Sequence, residues 1–495
     1  MKINLTRDVL QITGITLFIL LLTNSLTFSS NNFPQANGMD GLVPSLEPTQ
    51  HISSNPNLYV SAENPLFKNY FAGPQVIEVI VNDPDINRLD QAYGEPVVTI
   101  NGKRLRMAQG IDGNWYAYFA DRNQAIAASN TQLGITGKGL NFGGFCDPTS
   151  TFSPMPGVIY TETDGFTLAR GGFGSVNHTS TVVITSSNLG TCTNVQGILT
   201  ANQMEHVVRL NQTLNSNPSG FNADSTYSQV WPIIQLFDFS SIPSAVIVDY
   251  QKNGGDQIVN LIFDRIPKNI ITPVSNRSDY PQGAQVQADL IDPQLNIDPT
   301  DEDSWTWGTS PTNNTVFYQA FSRNGEPDAD GTLGMQDLSG NLTALMFNHN
   351  GILTTYPSPQ GVQVAELQSN GIQKLFKDSN GHYRTQSISG PSVPTTLLEI
   401  QPNAGIFADY DAGGIADLKI LDHAKRDTSF TVKYNDVSYS VVVKFYNAQL
   451  TMGWPSTQTT NIQYTNQPEK QSSFISFLKE FVLKNLFFID YLQSL

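Results

Sequence analysis

The sequence predicts an all-β protein made of two Ig-like β-sandwich domains with long loop insertions. Three observations carry that expectation. Short apolar runs with period-2 alternation recur between Asn-Gly, Asp-Gly and Asn-Asp turns. No long, well-capped helical pattern interrupts them between residues 71 and 452. One phrase, an apolar strand followed by Asp-Pro-x-(Ile/Leu)-Asn, occurs at 80–87 (IVNDPDIN) and again at 289–296 (DLIDPQLN), as expected of two related modules.

The elements follow in order. Residues 1–30 have the layout of a secretory signal peptide: Lys2 and Arg7, an apolar core over 15–22, then small polar residues. Residues 31–70, rich in Asn, Pro and Ser without an apolar period, are expected to be a disordered linker. The first module spans 71–270. Its strands are expected at 76–81, at 97–100 and 103–107 around Asn101-Gly102, and at 115–119 after Asp112-Gly113. A further hairpin pairs 245–250 with 257–263. The intervening 130–200 is rich in Gly, Ser and Thr, with an apolar burst at 182–185, and 201–211 has a helical look. The second module spans 271–452, with strands expected at 286–292, 314–321, 342–347 and 395–401. Its last hairpin, over 429–445, turns on Asn435-Asp436. A polar linker (453–473) leads to an apolar amphipathic helix (474–495), whose polar stripe is Ser476, Glu480 and Lys484. A membrane interface, a partner protein or its own domain could each receive that helix.

The net charge is −16 with only 14% charged residues. Phosphate neutralisation needs Lys and Arg, so nucleic acid is excluded as a partner class. Cys146 and Cys192 read as a disulfide in an exported chain, or as two buried thiols. Asn177, Asn211, Asn276, Asn313 and Asn341 head N-x-Ser/Thr triplets and are candidate glycan sites.

No HExxH or GxSxG motif is present, and the six histidines lack metal-ligand spacing. GKGLNFGG (137–144) lacks the Lys-Ser/Thr of a phosphate loop. The chain is therefore expected not to be an enzyme. Acidic clusters are the informative chemistry. In NGEPDADGTLGMQD, Glu326, Asp328 and Asp330 fall at positions 1, 3 and 5 of a calcium loop. Gly331 falls at 6, Thr332 offers a carbonyl at 7 and Asp337 falls at 12. Glu at position 1 and Asp at 12 depart from the EF-hand, and the flanks read as strands. Asp409, Asp411 and Asp417, around Gly413-Gly414, form a weaker cluster. Asp301, Glu302 and Asp303 follow the second Asp-Pro turn. Each cluster reads either as a structural calcium site or as a solvated acidic loop.

VIEVIVNDPDIN, GEPVVTINGKRLRM and DGNWYAYFAD resemble the first Ig-like module of the S-layer proteins of ammonia-oxidising archaea. DPQLNIDPTDEDSWTWG, NGEPDADGTLGMQDLSGNLTALMFNHNG and ILDHAKRDTSFTVKYND look like later stretches of the same proteins. The resemblance covers about 70 to 450. It implies an exported, glycosylated, non-enzymatic protein that assembles with itself or with other S-layer subunits at the cell surface, and it strengthens Ca²⁺ as the structural cation. The chain is expected to stop after two modules, unlike the many-module family members. The alternative is a secreted or cell-attached adhesin or glycan-binding module, with Trp305 and Trp307 as the first aromatic suspects.

Overall fold

The computed structural model describes residues 55–89, 94–131, 144–150, 159–168, 231–275, 277–308, 335–348, 394–409 and 416–445 as continuous runs. Shorter pieces lie at 140, 142, 207–208, 213–215, 316–319, 353–356, 364–367, 374–377 and 383–386. The described residues are mostly β-strand and share one hydrophobic core.

The first group of strands is β1 (Leu58–Val60), β2 (Tyr70–Phe71), β3 (Ile77–Val81), β4 (Val98–Ile100), β5 (Lys103–Leu105), β6 (Ala108–Gln109), β7 (Trp115–Asp121), β8 (Gly144–Cys146), β9 (Phe166–Leu168), β10 (Ile233–Phe237), β11 (Ser244–Tyr250) and β12 (Gln257–Phe263). They form one sheet in the order β1-β3-β7-β10-β9-β8, with β6 also on β7, and a second in the order β2-β12-β11-β4-β5. One helix, α1 (Arg122–Asn130), continues from β7.

The second group is β13 (Thr272–Ser275), β14 (Asp279–Tyr280), β15 (Gln285–Val286), β16 (Ala288–Ile291), β17 (Ser304–Gly308), β18 (Val316–Gln319), β19 (Met335–Asp337), β20 (Leu353–Tyr356), β21 (Ala365–Leu367), β22 (Lys374–Lys377), β23 (Tyr383–Gln386), β24 (Pro394–Glu399), β25 (Ile406–Ala408), β26 (Leu418–Ile420), β27 (Ser429–Tyr434) and β28 (Val437–Val443). The main sheet runs β13-β16-β25-β24-β17-β18-β19. A second runs β14-β28-β27-β20; β15-β26-β21 and β22-β23 form two small sheets. Among the described residues no strand of one group pairs with a strand of the other.

The two groups repeat one plan. The ladder β1-β3-β7 corresponds to β13-β16-β25, and β2-β12-β11-β4 corresponds to β14-β28-β27-β20. In both, a short early strand runs parallel to the last one: Tyr70 opposite Ile262, and Asp279 opposite Val442. A matching phrase precedes the ladder strand, Gly73-Pro74-Gln75-Val76 and Gly283-Ala284-Gln285-Val286, with its glycine at φ 62° and 72°. An L side chain resists that left-handed geometry.

Local chemistry explains the strands. Val246, Val248 and Tyr250 of β11 point inward while Ala245 and Ile247 point out, the period-2 pattern of a half-buried strand. Asn101 and Gly102 both have positive φ, the requirement of a type I′ hairpin turn, and β4 pairs with β5 across them. Between the facing sheets, Phe71 of β2 meets Phe119 of β7 edge-on at 6.3 Å, and Tyr434 of β27 meets Trp307 of β17 edge-on at 6.2 Å. Such pairs add about 0.5–1.5 kcal/mol beyond their burial.

Two expectations are corrected, and one helix is added. The linker does not run to residue 70: Leu58 and Val60 are buried in β1, because β1 supplies the edge that β3 pairs with. Residues 342–345 are a 3-10 helix rather than a strand. Leu342 and Leu345, three apart, both turn inward, and Met346 ends the turn in the left-handed region. Helix α1 was not foreseen; its cap is Asp121, whose carboxylate accepts the Gln124 N–H at 2.8 Å. The signal segment, the second linker, the 474–495 helix and nearly all of 201–211 lie outside the described residues.

Candidate functional site

The joint between the two groups is built around the second Asp-Pro turn. Asp292 ends β16 and caps the 3-10 helix Pro293–Leu295, accepting the Gln294 N–H at 3.0 Å. Module one reaches onto this turn from the segment between β2 and β3. The Gln75 carboxamide donates to the carbonyls of Pro293 (2.7 Å) and Asn296 (2.9 Å), and the Val76 N–H donates to Ile297. Arg265 donates to the Met346 and Phe347 carbonyls, and Asn403 to the Ser61 carbonyl at 2.7 Å. Gly405 sits so close to Phe67 and Pro293 that a Cβ there would lie 2.9 Å from each.

The acids after the turn are buried, not solvated. Asp298 and Asp303 are fully inaccessible, and Asp301, Glu302 and Glu399 are 1–2% exposed. Protein donors are aimed at them. Asp303 accepts the N–H groups of Ile297 and Asp298 on one oxygen and the Tyr318 hydroxyl, at 2.7 Å, on the other. Asp298 accepts the Thr300 N–H and hydroxyl; Asp301 accepts the Glu302 N–H. Glu399 accepts the Asp303 N–H on one oxygen and the Gly405 N–H on the other. The arrangement stitches β17, β24 and the 400–405 loop together.

Burial pushes the Glu399 carboxyl well above its ordinary range, and the neighbouring Asp303 adds to this. From module one, Glu78 of β3 faces the same region. Burial raises it to about 8, against the Tyr118 hydroxyl that bonds it at 3.0 Å, and Asp298 adds repulsion. Asp292 rises to about 7 by burial, despite the hydrogen bonds from Tyr434 and the Gln294 amide.

The sequence-predicted residues separate clearly. Asp301, Glu302 and Asp303 meet at the joint. Asp409 and Asp417 come together at one edge, where the Asp417 N–H donates to the Asp409 carbonyl. Their carboxylates accept the Ala288 and Thr396 N–H groups, so each ties neighbouring strands. Calcium binds through several convergent oxygens. Among the described residues no group of three or more acid, histidine or cysteine side chains is placed to hold a metal ion, and both Asp303 oxygens already carry protein donors. Asp411, Glu326, Asp328, Asp330 and Thr332 lie outside the described residues, as does the Asp337 side chain.

Cys146 is disulfide-bonded; Cys192, the chain's only other cysteine, lies outside the described residues. Asn341 is half-buried at the start of the 342–345 helix, and its side chain does not cap it. Asn177, Asn211, Asn276 and Asn313 lie outside the described residues. Trp305 and Trp307 are core, stacked at 6.1 Å and 0–1% exposed. Sequence reading missed Glu78, Glu399 and Gln75. The available signal was a single acid inside an apolar strand run, VIEVIV and TTLLEI.

No protein-family model matches this sequence, and none of the curated proteins compared with it matches.

Proposed function

We propose that the chain is a structural cell-surface protein, exported and non-enzymatic, whose two Ig-like β-sandwich modules act as one unit of an S-layer or S-layer-like coat. The observation that carries this reading is the joint. Two copies of one strand plan are fixed together by hydrogen bonds around an inaccessible turn, buried ones from Gln75 and part-buried ones from Arg265 and Asn403, with the Val76 N–H beside them. Such a seam holds the angle between modules, and a repeating coat depends on that angle. The Ig-like assignment rests on the repeated set of seven strands in two sheets, with early strands split between the sheets and a closing hairpin in the second.

The acidic surface, the sequons and the calcium-loop pattern at 326–337 fit a glycosylated coat that binds Ca²⁺. No helix among the described residues is long and apolar enough to cross a membrane. The adhesin reading loses its aromatic groove, because Trp305 and Trp307 are consumed by the core. Electron microscopy of the purified full chain tests the proposal. Ordered sheets are expected with millimolar calcium and their loss with chelator. A protein that stays monomeric at every calcium level overturns it.

A further inference from the structure

Glu78 sits where the modules meet. Its backbone N–H bonds the Ser61 hydroxyl, and the Ser61 carbonyl receives Asn403 from module two. Two residues before Glu78, the Val76 N–H reaches the Ile297 carbonyl. The side chain is 7% exposed. Among the described residues, the titratable groups facing it are Tyr118 and Tyr116 from β7, Tyr59 from β1 and Asp298 from module two. All four are neutral or acidic. Among the described residues no ion pair involves Glu78.

We propose that the seam between the modules is a proton-operated latch, with Glu78 as its sensor: the modules seat against each other while Glu78 carries a proton, and the seam loosens as that proton leaves. A neutral carboxyl fits a site lined by tyrosines and opposed by Asp298; a carboxylate there is buried beside a second acid, with no base among the described residues to offset it. In the seated state the group holds its proton to about pH 8, whereas an exposed glutamic acid loses it near its ordinary value of 4.5. The sign follows. Seating is fully favoured below about pH 4.5, weakens through the window between those values, and has lost the whole contribution above about 8. Within that window the ratio of seated to unseated molecules falls by up to about tenfold per pH unit. This goes beyond the coat proposal, because it concerns the angle between modules whether or not the chain assembles.

Energy transfer between dyes on Ile258→Cys and Ser438→Cys, exposed positions in the two modules, tests it in the monomeric full chain. Transfer is expected to change progressively between pH 5 and 8.5 and to return when the pH is lowered. Glu78→Gln keeps an acceptor for Tyr118 and removes the titration, so its transfer should stay at the acid-pH value throughout. Asp298→Asn removes the facing charge and should shrink the response. A pH-independent signal in the parent overturns the proposal, and so does an identical response in Glu78→Gln. Should Glu78→Gln not fold, Asp298→Asn and Asp292→Asn decide it together: the first should shrink the response, and a response that disappears in Asp292→Asn instead overturns the proposal, because Asp292 titrates in the same window.

Discussion

Asp83 and Asp292 hold the same turn in the two modules, with opposite electrostatics. Each ends its ladder strand before a proline, each accepts the N–H two residues on (Asp85 or Gln294, both at 3.0 Å), and each accepts a tyrosine hydroxyl from the closing hairpin: Tyr250 at 2.7 Å, Tyr434 at 2.9 Å. The repeated Asp-Pro phrase is therefore a fold device, a capped strand end locked to the hairpin. Asp83 also has Lys252, at 2.7 Å, which with the hydrogen bonds holds its carboxyl below the ordinary range in spite of burial. Asp292 has, among the described residues, no ion pair, and burial raises it to about 7. The turn lengths account for the difference. Residues 251–256 link β11 to β12 and carry a lysine back over Asp83, while β27 and β28 are joined by Asn435-Asp436 alone. The first turn stands at a rim where Asp85 is 81% exposed, and the second is covered by module one. One motif fixes geometry, and its surroundings decide its charge.

Asparagine substitutions should separate the two by the sign of their pH dependence, the largest effect expected. A carboxyl raised from 3.8 to about 7 contributes fully below pH 3.8 and loses that contribution as the pH rises through 7. Asp292→Asn should therefore stabilise the chain at pH 8, by up to about 4 kcal/mol, and leave it unchanged near pH 3.5. Asp83, held low, contributes above its ordinary value and loses that as the pH falls. Asp83→Asn should destabilise at neutral pH and converge with the parent in acid. Urea unfolding of the full chain at pH 3.5, 6 and 8 measures both. Curves that shift the same way for the two variants would erase the distinction.

Alanine tests the shared part of the device. Asp292→Ala removes the helix cap and leaves the buried Tyr434 hydroxyl without its acceptor, a loss of about 3 kcal/mol at pH 4. Asp83 is itself 1% exposed, but its neighbour Asp85 is 81% exposed, so water can enter the space that Asp83→Ala vacates and about 1–2 kcal/mol is expected. Thermal unfolding at pH 4 compares them; equal losses would mean that burial of the second turn adds nothing.

Much of this was legible in the sequence. Alternation and turn chemistry placed the hairpins of β4–β5, β11–β12 and β27–β28, and the repeated phrase pointed to two related modules. The burial of 298–303 was not legible. Asp301, Glu302 and Asp303 in a row read locally as a surface loop, and it is contacts distant in sequence, such as Tyr318 and Glu399 on Asp303, that go with their place inside. Glu78 and Glu399 were hidden by the same limit: an acid in a strand run alternates correctly whether its side faces water or a joint. Tyr434 and Asp292 lie 142 residues apart, and no local pattern joins them.

The smallest effect sharpens the comparison most directly. Lys252→Met strips module one of the base that module two lacks, keeping the stem that packs along the turn. Lys252 is 22% exposed and also donates to Asn57, so the ion pair is partly screened and its loss should cost about 1 kcal/mol or less at pH 7. The informative readout is the Asp83 carboxyl, followed by carbon-detected NMR titration. Without the ammonium, burial is still opposed by Tyr250 and the Asp85 amide but has lost its one charged opponent in Lys252, so the titration should move upward toward the behaviour of Asp292. If Asp83 stays low in Lys252→Met, the hydrogen bonds alone set its charge. Turn length would then no longer explain why the two modules differ, since Asp292 receives the same two kinds of donor and still rises.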